Sequence, residues 1–302
     1  MSGPVHAATD PFGFRLATAV ALRGPLCVGI DPHRELLLDW GLGDDIDGLR
    51  RFTDTVVDAL AGHVAVLKPQ LAFYERHGSR GLAVLEGAVA RARAAGALVL
   101  LDAKRGDIGS TMDAYADYLR PEHPLAVDAM TVSPYLGPRS LQPAVDTARL
   151  CGGGLFVLAR TSNADAGTFQ HAVVGDAAGE RSVAQAVVDT VRGWNTPGWV
   201  IGDPLPDIAA VRDLAGRFGP TTGSFGVVVG ATLREMDVDL DGLGGPILAP
   251  GLGAQGGSVT DLRRLFGTGR AVVPTVSRDV LAAGPDVAAL RAAAERWASE
   301  LR

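Results

Sequence analysis

Three charged residues crowd the end of one apolar run. The stretch 99–109 reads V-L-L-D-A-K-R-G-D-I-G, so Asp102, Lys104 and Asp107 follow directly on the apolar residues 97–101. That run has the length and branching of a buried parallel strand. Residues two apart on an extended chain point to the same side, so Asp102 and Lys104 share a face, and a turn at Arg105 and Gly106 can bring Asp107 back toward them. Two acids and an amine make a catalytic geometry if the strand end lines a pocket. At a solvated strand end the same residues form an ordinary salt bridge of little energetic worth, and the pattern alone leaves both readings open.

Lysine is otherwise scarce. Of 28 Lys plus Arg only Lys68 and Lys104 are lysine, leaving 26 arginines. Arginine keeps its proton near neutral pH, whereas lysine can be tuned to release it. Each lysine closes an apolar run, Lys68 after 64–67 and Lys104 after 97–101. In a chain that uses arginine wherever a plain cation serves, two strand-end lysines point to chemistry.

The elements that must hold these residues repeat in one pattern. Apolar runs at 26–30, 64–67, 97–101, 125–132, 154–159, 225–230, 247–250 and 271–276 alternate with segments of helical spacing. The spacing predicts helices at 10–23 (stripe Phe14, Ala17, Leu22), 47–61 (Leu49, Phe52, Val56, Val57, Leu60), 79–95, 108–119, 138–150 and 286–301. Hairpin signals are few. Eight such runs predict an α/β fold, a (β/α)8 TIM barrel forming a single domain over 1–302, with an extra N-terminal helix. The rhythm slackens around 164–224, where a helix at 181–192, a turn at Trp194 and Asn195, a Pro-rich link at 202–206 and a helix at 207–217 mark an insertion.

Asp31, Lys68, Asp102, Lys104, Thr131, Gln255 and Arg278 all fall just past a predicted strand end or on the loop that follows. Barrel active sites are built at that end. The composition, 47% hydrophobic and 21% charged over 302 residues, supports a sizeable buried core, and the net charge of −6 leaves no basic footprint for nucleic acid. Two cysteines, Cys27 and Cys151, are too few for a disulfide scaffold and fit a reduced cytoplasm. No apolar run reaches the ~20 residues needed to span a bilayer, and the leading residues lack a signal-peptide pattern, so no membrane association is expected. No pair of histidines has metal-ligand spacing, and His33, His63 and His77 read as scattered surface residues.

After the seventh run comes P-G-L-G-A-Q-G-G at 250–257, and after the eighth come Ser277 and Arg278 at the start of a helix. Loops after strands seven and eight, with a helix N-terminus, form the usual phosphate site of barrels, since free backbone N–H groups face an anion there. Arg278 adds a bidentate charge partner. The glycines permit close backbone approach and lid motion, although a merely flexible loop has the same composition.

With these pieces assembled the chain resembles the orotidine 5′-phosphate decarboxylase family, in its branch of longer chains. The match spans roughly 26–280 and rests on D-A-K-R-G-D-I at 102–108 and P-G-L-G-A-Q-G-G at 250–257, supported in order by V-G-I-D-P, L-K-P-Q, T-V-S-P-Y-L-G, R-T-S-N and V-V-G-A-T.

The resemblance implies cofactor-free decarboxylation of orotidine 5′-monophosphate to uridine 5′-monophosphate in a homodimer with shared sites, with no metal. By it, Lys104 is the proton donor to C6 of the pyrimidine and Asp102 faces the departing carboxylate. Asp107 reaches into the neighbouring subunit's site with Ile108 and Thr111. Lys68 and Asp31 bind the ribose with Gln70 beside them, Thr131 contacts the pyrimidine amide with Ser133 as helper, Gln255 bridges base and phosphate, and Arg278 clamps the phosphate, flanked by Pro250 and Ser277. Many members carry Gly-Arg where this chain has Ser277 and Arg278. Two other readings stay open. A magnesium-dependent sugar-phosphate decarboxylase or aldol synthase would share D-x-K-x-x-D but needs a further carboxylate from Glu75 or Glu86. A non-catalytic nucleotide-binding barrel would not need Lys104.

Overall fold

The computed structural model describes residues 10–176, 179–196 and 223–302. In chain order the strands are β1 (Cys27–Ile30), β2 (Val66–Pro69), β3 (Leu98–Arg105), β4 (Ala129–Val132), β5 (Gly154–Arg160), β6 (Val173–Asp176), β7 (Gly179–Ser182), β8 (Phe225–Val229), β9 (Ile247–Pro250) and β10 (Val272–Val276). Eight of them close a barrel in the order β1-β2-β3-β4-β5-β8-β9-β10, every neighbouring pair parallel. Helices follow every barrel strand except β8, from which residues 230–246 run to β9 without one, so the (β/α)8 TIM barrel expected from the alternating runs is the observed architecture. Closure leaves no unpaired edge, and the strands, covered on both sides, are almost wholly buried, which is why they read as unbroken apolar runs.

The core has two layers. Between barrel and helices lies a large cluster that includes Leu49, Phe52, Val56 and Leu60 of the helix Ile46–Leu60, the stripe expected from its spacing. Inside the barrel, Cys27, Val66, Leu98, Leu100, Phe156 and Val228 pack with Phe12, Leu16 and Ala19 of the N-terminal helix Phe12–Arg23. That helix closes the N-terminal mouth of the barrel. Phe12 meets Phe156 edge-on at 5.9 Å between ring centres, and Arg15 pairs with Asp128 and donates to the Gly152 carbonyl at 2.8 Å. The predicted stripe lies on the wrong face, for Leu22 is exposed and Phe14 and Ala17 are only partly covered. Each large side chain inserted there contributes about 1.5–3 kcal/mol of burial.

The insertion departs most from expectation. The helix expected at 181–192 runs Val183–Asn195 and is preceded by an antiparallel hairpin of β6 and β7, so Trp194 and Asn195 lie in its last turn. Asn195 is a strut between segments, donating to the carbonyls of Phe225 and Leu243 at 2.7 and 2.9 Å. The expected link at 202–206 and helix at 207–217 lie outside the described residues. Among the described residues no helix is long and apolar enough to cross a membrane.

Candidate active site

At the strand C-termini a cavity of about 380 Å³ opens, a size suited to a small organic ligand. The residues expected at that end converge on it: Asp31, Lys68, Gln70, Asp102, Lys104 and Thr131 after β1 to β4, and Pro250, Gln255, Ser277 and Arg278 after β9 and β10, all line it.

Asp102 is the hub. Its Oδ2 accepts from Lys68 Nζ at 2.7 Å and Gln70 Nε2 at 3.1 Å, and its Oδ1 accepts from Lys104 Nζ at 2.6 Å and Thr131 Oγ1 at 2.9 Å. A carboxylate offers about four lone-pair sites, so the protein itself fills all of them. Burial alone would raise the Asp102 pKa, but the ammonium groups of Lys68 and Lys104 outweigh it and hold the carboxyl well below the usual range. Burial likewise works against the charge on Lys68, and the carboxylates of Asp102 and Asp31 reverse it, holding the ammonium above its ordinary pKa. Both groups are therefore ionised at neutral pH. Lys68 is buried, whereas the Lys104 side chain is 46% exposed at the cavity and spends one of its three donors on Asp102.

The convergence of Asp102 and Lys104 does not come from simple strand alternation. Between Leu101 and Arg105 the register of β3 on β4 shifts, with four steps along β3 against two from Met130 to Val132, and Lys104 has a left-handed φ of 48°. A non-glycine residue in that region costs energy and persists only where its surroundings hold it. Here the Lys104 N–H donates to Thr131 Oγ1 at 3.0 Å and so binds the bulge to β4. Gln70 is seated just as firmly, its N–H donating to the Ile30 carbonyl at 3.2 Å while its backbone bridges to Asp102.

Asp31 Oδ1 is buried without a hydrogen-bond partner while the residue lines the cavity, an acceptor left for a ligand hydroxyl. Beside it, Ser277 is accommodated by Gly29, where a Cβ would stand 1.9 Å from Ser277 Oγ and 3.1 Å from Asp31 Oδ2. The Gly-rich loop folds as a turn Gly253–Gln255 anchored by Asp279, whose Oδ1 accepts the Ala254 N–H at 2.9 Å. Gly253 adopts φ +69° there, and a Cβ would lie 2.1 Å from Asp279 Oδ2, so only glycine permits this anchor.

Four expected site residues are not brought into the cavity. Asp107 does not turn back toward Lys104; its Oδ1 accepts the Ile108 N–H at 2.8 Å, and neither it nor Ile108, Thr111 or Ser133 lines the cavity. Ser133 donates its N–H to the Arg105 carbonyl at 2.7 Å, which ties its backbone to that loop. Conversely, His33, read as a surface residue, is exposed but lines the cavity and packs edge-on against Phe73 at 4.4 Å. Its position two residues after Asp31 was the available signal. Leu158, Val228 and Leu248 form an apolar side of the cavity, and Thr161 stands at the end of β5. The R-T-S-N motif marked Thr161 without giving it a role. Among the described residues no group of three or more His, Cys, Asp or Glu is placed to hold a metal ion.

A saturated Lys-Asp-Lys array at a barrel mouth, facing an arginine at a helix start, can bind a phosphorylated ligand and deliver a proton to it. Residues 24–293 match the profile of the orotidine 5′-phosphate decarboxylase / HUMPS family. The chain belongs to this family. Among relatives, the orotidine 5′-phosphate decarboxylase of Streptomyces coelicolor is 56% identical over 295 residues, 97% of this chain and 98% of that protein. A crystal structure from Streptomyces avermitilis, described as a candidate orotidine 5′-phosphate decarboxylase, superposes with a TM-score of 0.86 at 54% identity, covering 100% of this chain and 98% of that one. The OMP decarboxylase of Leishmania donovani, at 29% identity, superposes with a TM-score of 0.67 over 96% of this chain and 97% of its own. The resemblance drawn from the motifs is thus borne out over nearly the whole decarboxylase-family chain.

Proposed function

We propose that this chain catalyses the decarboxylation of orotidine 5′-monophosphate to uridine 5′-monophosphate, the last step of de novo pyrimidine nucleotide synthesis. The observation that carries the reading is the Lys68-Asp102-Lys104 array, with Lys104 half-exposed in a cavity that Arg278 also lines. The C6–carboxylate bond breaks, its electron pair stays on C6, carbon dioxide leaves, and the Lys104 ammonium donates its proton to C6. No carbonyl adjacent to C6 can take up the electron pair, so the protein must supply on the order of 20 kcal/mol of stabilisation electrostatically. Arg278 and the Gly253–Gln255 turn hold the phosphate, Gln255 spanning toward the base, and remote phosphate binding lowers the barrier only by drawing the loop closed over the site.

Asp31 and Lys68 take the ribose hydroxyls, with Pro250 and Ser277 as neighbouring walls. Gln70 and Thr131 hold Asp102. The four hydrogen bonds to Asp102 favour its acting by positioning Lys104. The magnesium-dependent alternative requires a further carboxylate beside Asp102; Glu75 is ion-paired with Arg105, and neither it nor Glu86 lines the cavity.

The reading extends to a homodimer in which Asp107, Ile108 and Thr111 serve the neighbouring subunit's site. Its support is that these residues do not line their own cavity and that Ile108, 62% exposed, has Tyr135 and Leu136 as further uncovered apolar side chains on the adjacent strand-end loop. A cytoplasmic location accords with two free cysteines, one of them, Cys27, with its thiol pushed by burial up to about 12. Mixing the purified protein with orotidine 5′-monophosphate and following its ultraviolet absorbance tests the activity; a folded sample without turnover overturns it.

A further inference from the structure

The insertion begins with a short helix, Ala166–Gln170, whose last residue grips the cavity wall. Thr161 lines the cavity, and its backbone N–H donates to Gln170 Oε1 at 2.9 Å while its hydroxyl accepts from Gln170 Nε2 at 2.8 Å. A backbone N–H can only donate, so the amide oxygen must face it and the NH₂ must face the hydroxyl. The hydroxyl proton is then directed to Asn163 Oδ1, 2.6 Å away. One lone pair remains on Thr161 Oγ1, which makes this side chain an acceptor toward a ligand.

The next residue extends the grip. His171 Nε2 lies 2.8 Å from Asp237 Oδ2, and Asp237 accepts from Arg160 Nε through both oxygens at 2.9 and 3.0 Å. Arg160 is the last residue of β5, with only 11% of its side chain exposed. Consecutive residues of the insertion thus secure consecutive residues of the strand end, one directly and one through the loop after β8.

We infer that Gln170 is a positioning residue for the reaction in this cavity, acting through Thr161, and that the start of the insertion serves to fix the polarity and place of the Thr161 hydroxyl. The inference rests on the nucleotide-decarboxylase reading of the cavity. It gives the insertion a function that a minimal barrel would have to supply from the β5 loop itself.

The test combines Gln170→Ala, Gln170→Glu, Thr161→Val and the double variant Gln170→Ala/Thr161→Val. In Gln170→Ala, KM for orotidine 5′-monophosphate rises about five- to tenfold, the worth of one lost hydrogen bond, with kcat nearly unchanged, and the Thr161 amide loses protection from hydrogen exchange. Gln170→Glu keeps an acceptor for that amide but reverses the hydroxyl's direction, so protection returns while KM stays raised. The double variant is no worse than Thr161→Val alone. Unchanged KM in any of the three single variants overturns the inference, as do fold-changes that multiply in the double variant. Wild-type protein without turnover would overturn the decarboxylase reading instead; amide exchange and the affinity for uridine 5′-monophosphate then still report the brace, and an unchanged pair of values in Gln170→Ala overturns it.

Discussion

The Thr131 hydroxyl is shared between the backbone and the side chain of the catalytic strand: it accepts the Lys104 N–H at 3.0 Å and donates to Asp102 at 2.9 Å. One side chain on β4 thereby holds a left-handed bulge and a buried carboxylate together. Thr131→Val removes both bonds at nearly constant volume. We expect a loss of about 1–3 kcal/mol in denaturant unfolding, because two buried polar groups lose partners, together with a fall in kcat as Lys104 loses its fixed backbone. Unaltered stability and kcat would show that the bulge holds itself.

Lys104→Ala should abolish turnover while uridine 5′-monophosphate still binds, since the proposal assigns phosphate and ribose contacts to other residues. Lys104→Arg should fail as well, because a guanidinium does not release its proton near neutral pH. Single-turnover assays and calorimetric titration separate the two effects, and appreciable turnover by the arginine variant would exclude proton donation from this position.

For Asp102, a folded-state pKa held below the ordinary 3.8 means stability that is present above that value and lost as the pH falls through the lowered one. Lys68, raised above 10.5, contributes stability fully present below 10.5 and lost as the pH rises through its folded-state value. Neither group titrates between about pH 5 and 9, so the pair's contribution should be flat across that window. Asp102→Asn leaves Lys68 buried without its main partner and should cost about 3–5 kcal/mol. Because burial then dominates at Lys68, the variant's stability should also begin to depend on alkaline pH, which unfolding curves from about pH 6 to 10 would reveal.

If Arg278 grips the phosphate as proposed, remote from C6, Arg278→Ala should raise KM strongly with a smaller loss of kcat than Lys104→Ala. Steady-state kinetics decide the matter; equal kcat losses would contradict this division of labour.

Asp107 does not line its own cavity, so any part it plays in the reaction belongs to a neighbour's site. Mixed Lys104→Ala and Asp107→Ala subunits should then regain activity, because some hybrid sites carry both native groups. Absence of rescue after demonstrated subunit exchange would rule out a shared site.

Much of this was legible in one dimension because it is locally encoded. Strands buried on both faces must be apolar throughout, so each barrel strand announced itself as a run, and the polar residue ending it marked the mouth of the barrel. The motifs around Lys104 and Gln255 lie within single segments, and the two lysines stood out against 26 arginines. The N-terminal helix was legible as a helix but not in its orientation, because the face it buries is chosen by the barrel floor it plugs.

The sequence by itself determined the fold class, the end of the barrel that carries the chemistry and most residues gathered there. Only the tertiary structure decided how they work together. Asp102 receives hydrogen bonds from β2, β3, β4 and the residue after β2, contacts spanning up to 34 positions that no local pattern can express. The bulge that turns Lys104 onto that carboxylate, and the grip of Gln170 on Thr161, depend likewise on hydrogen bonds that exist only after the elements have packed.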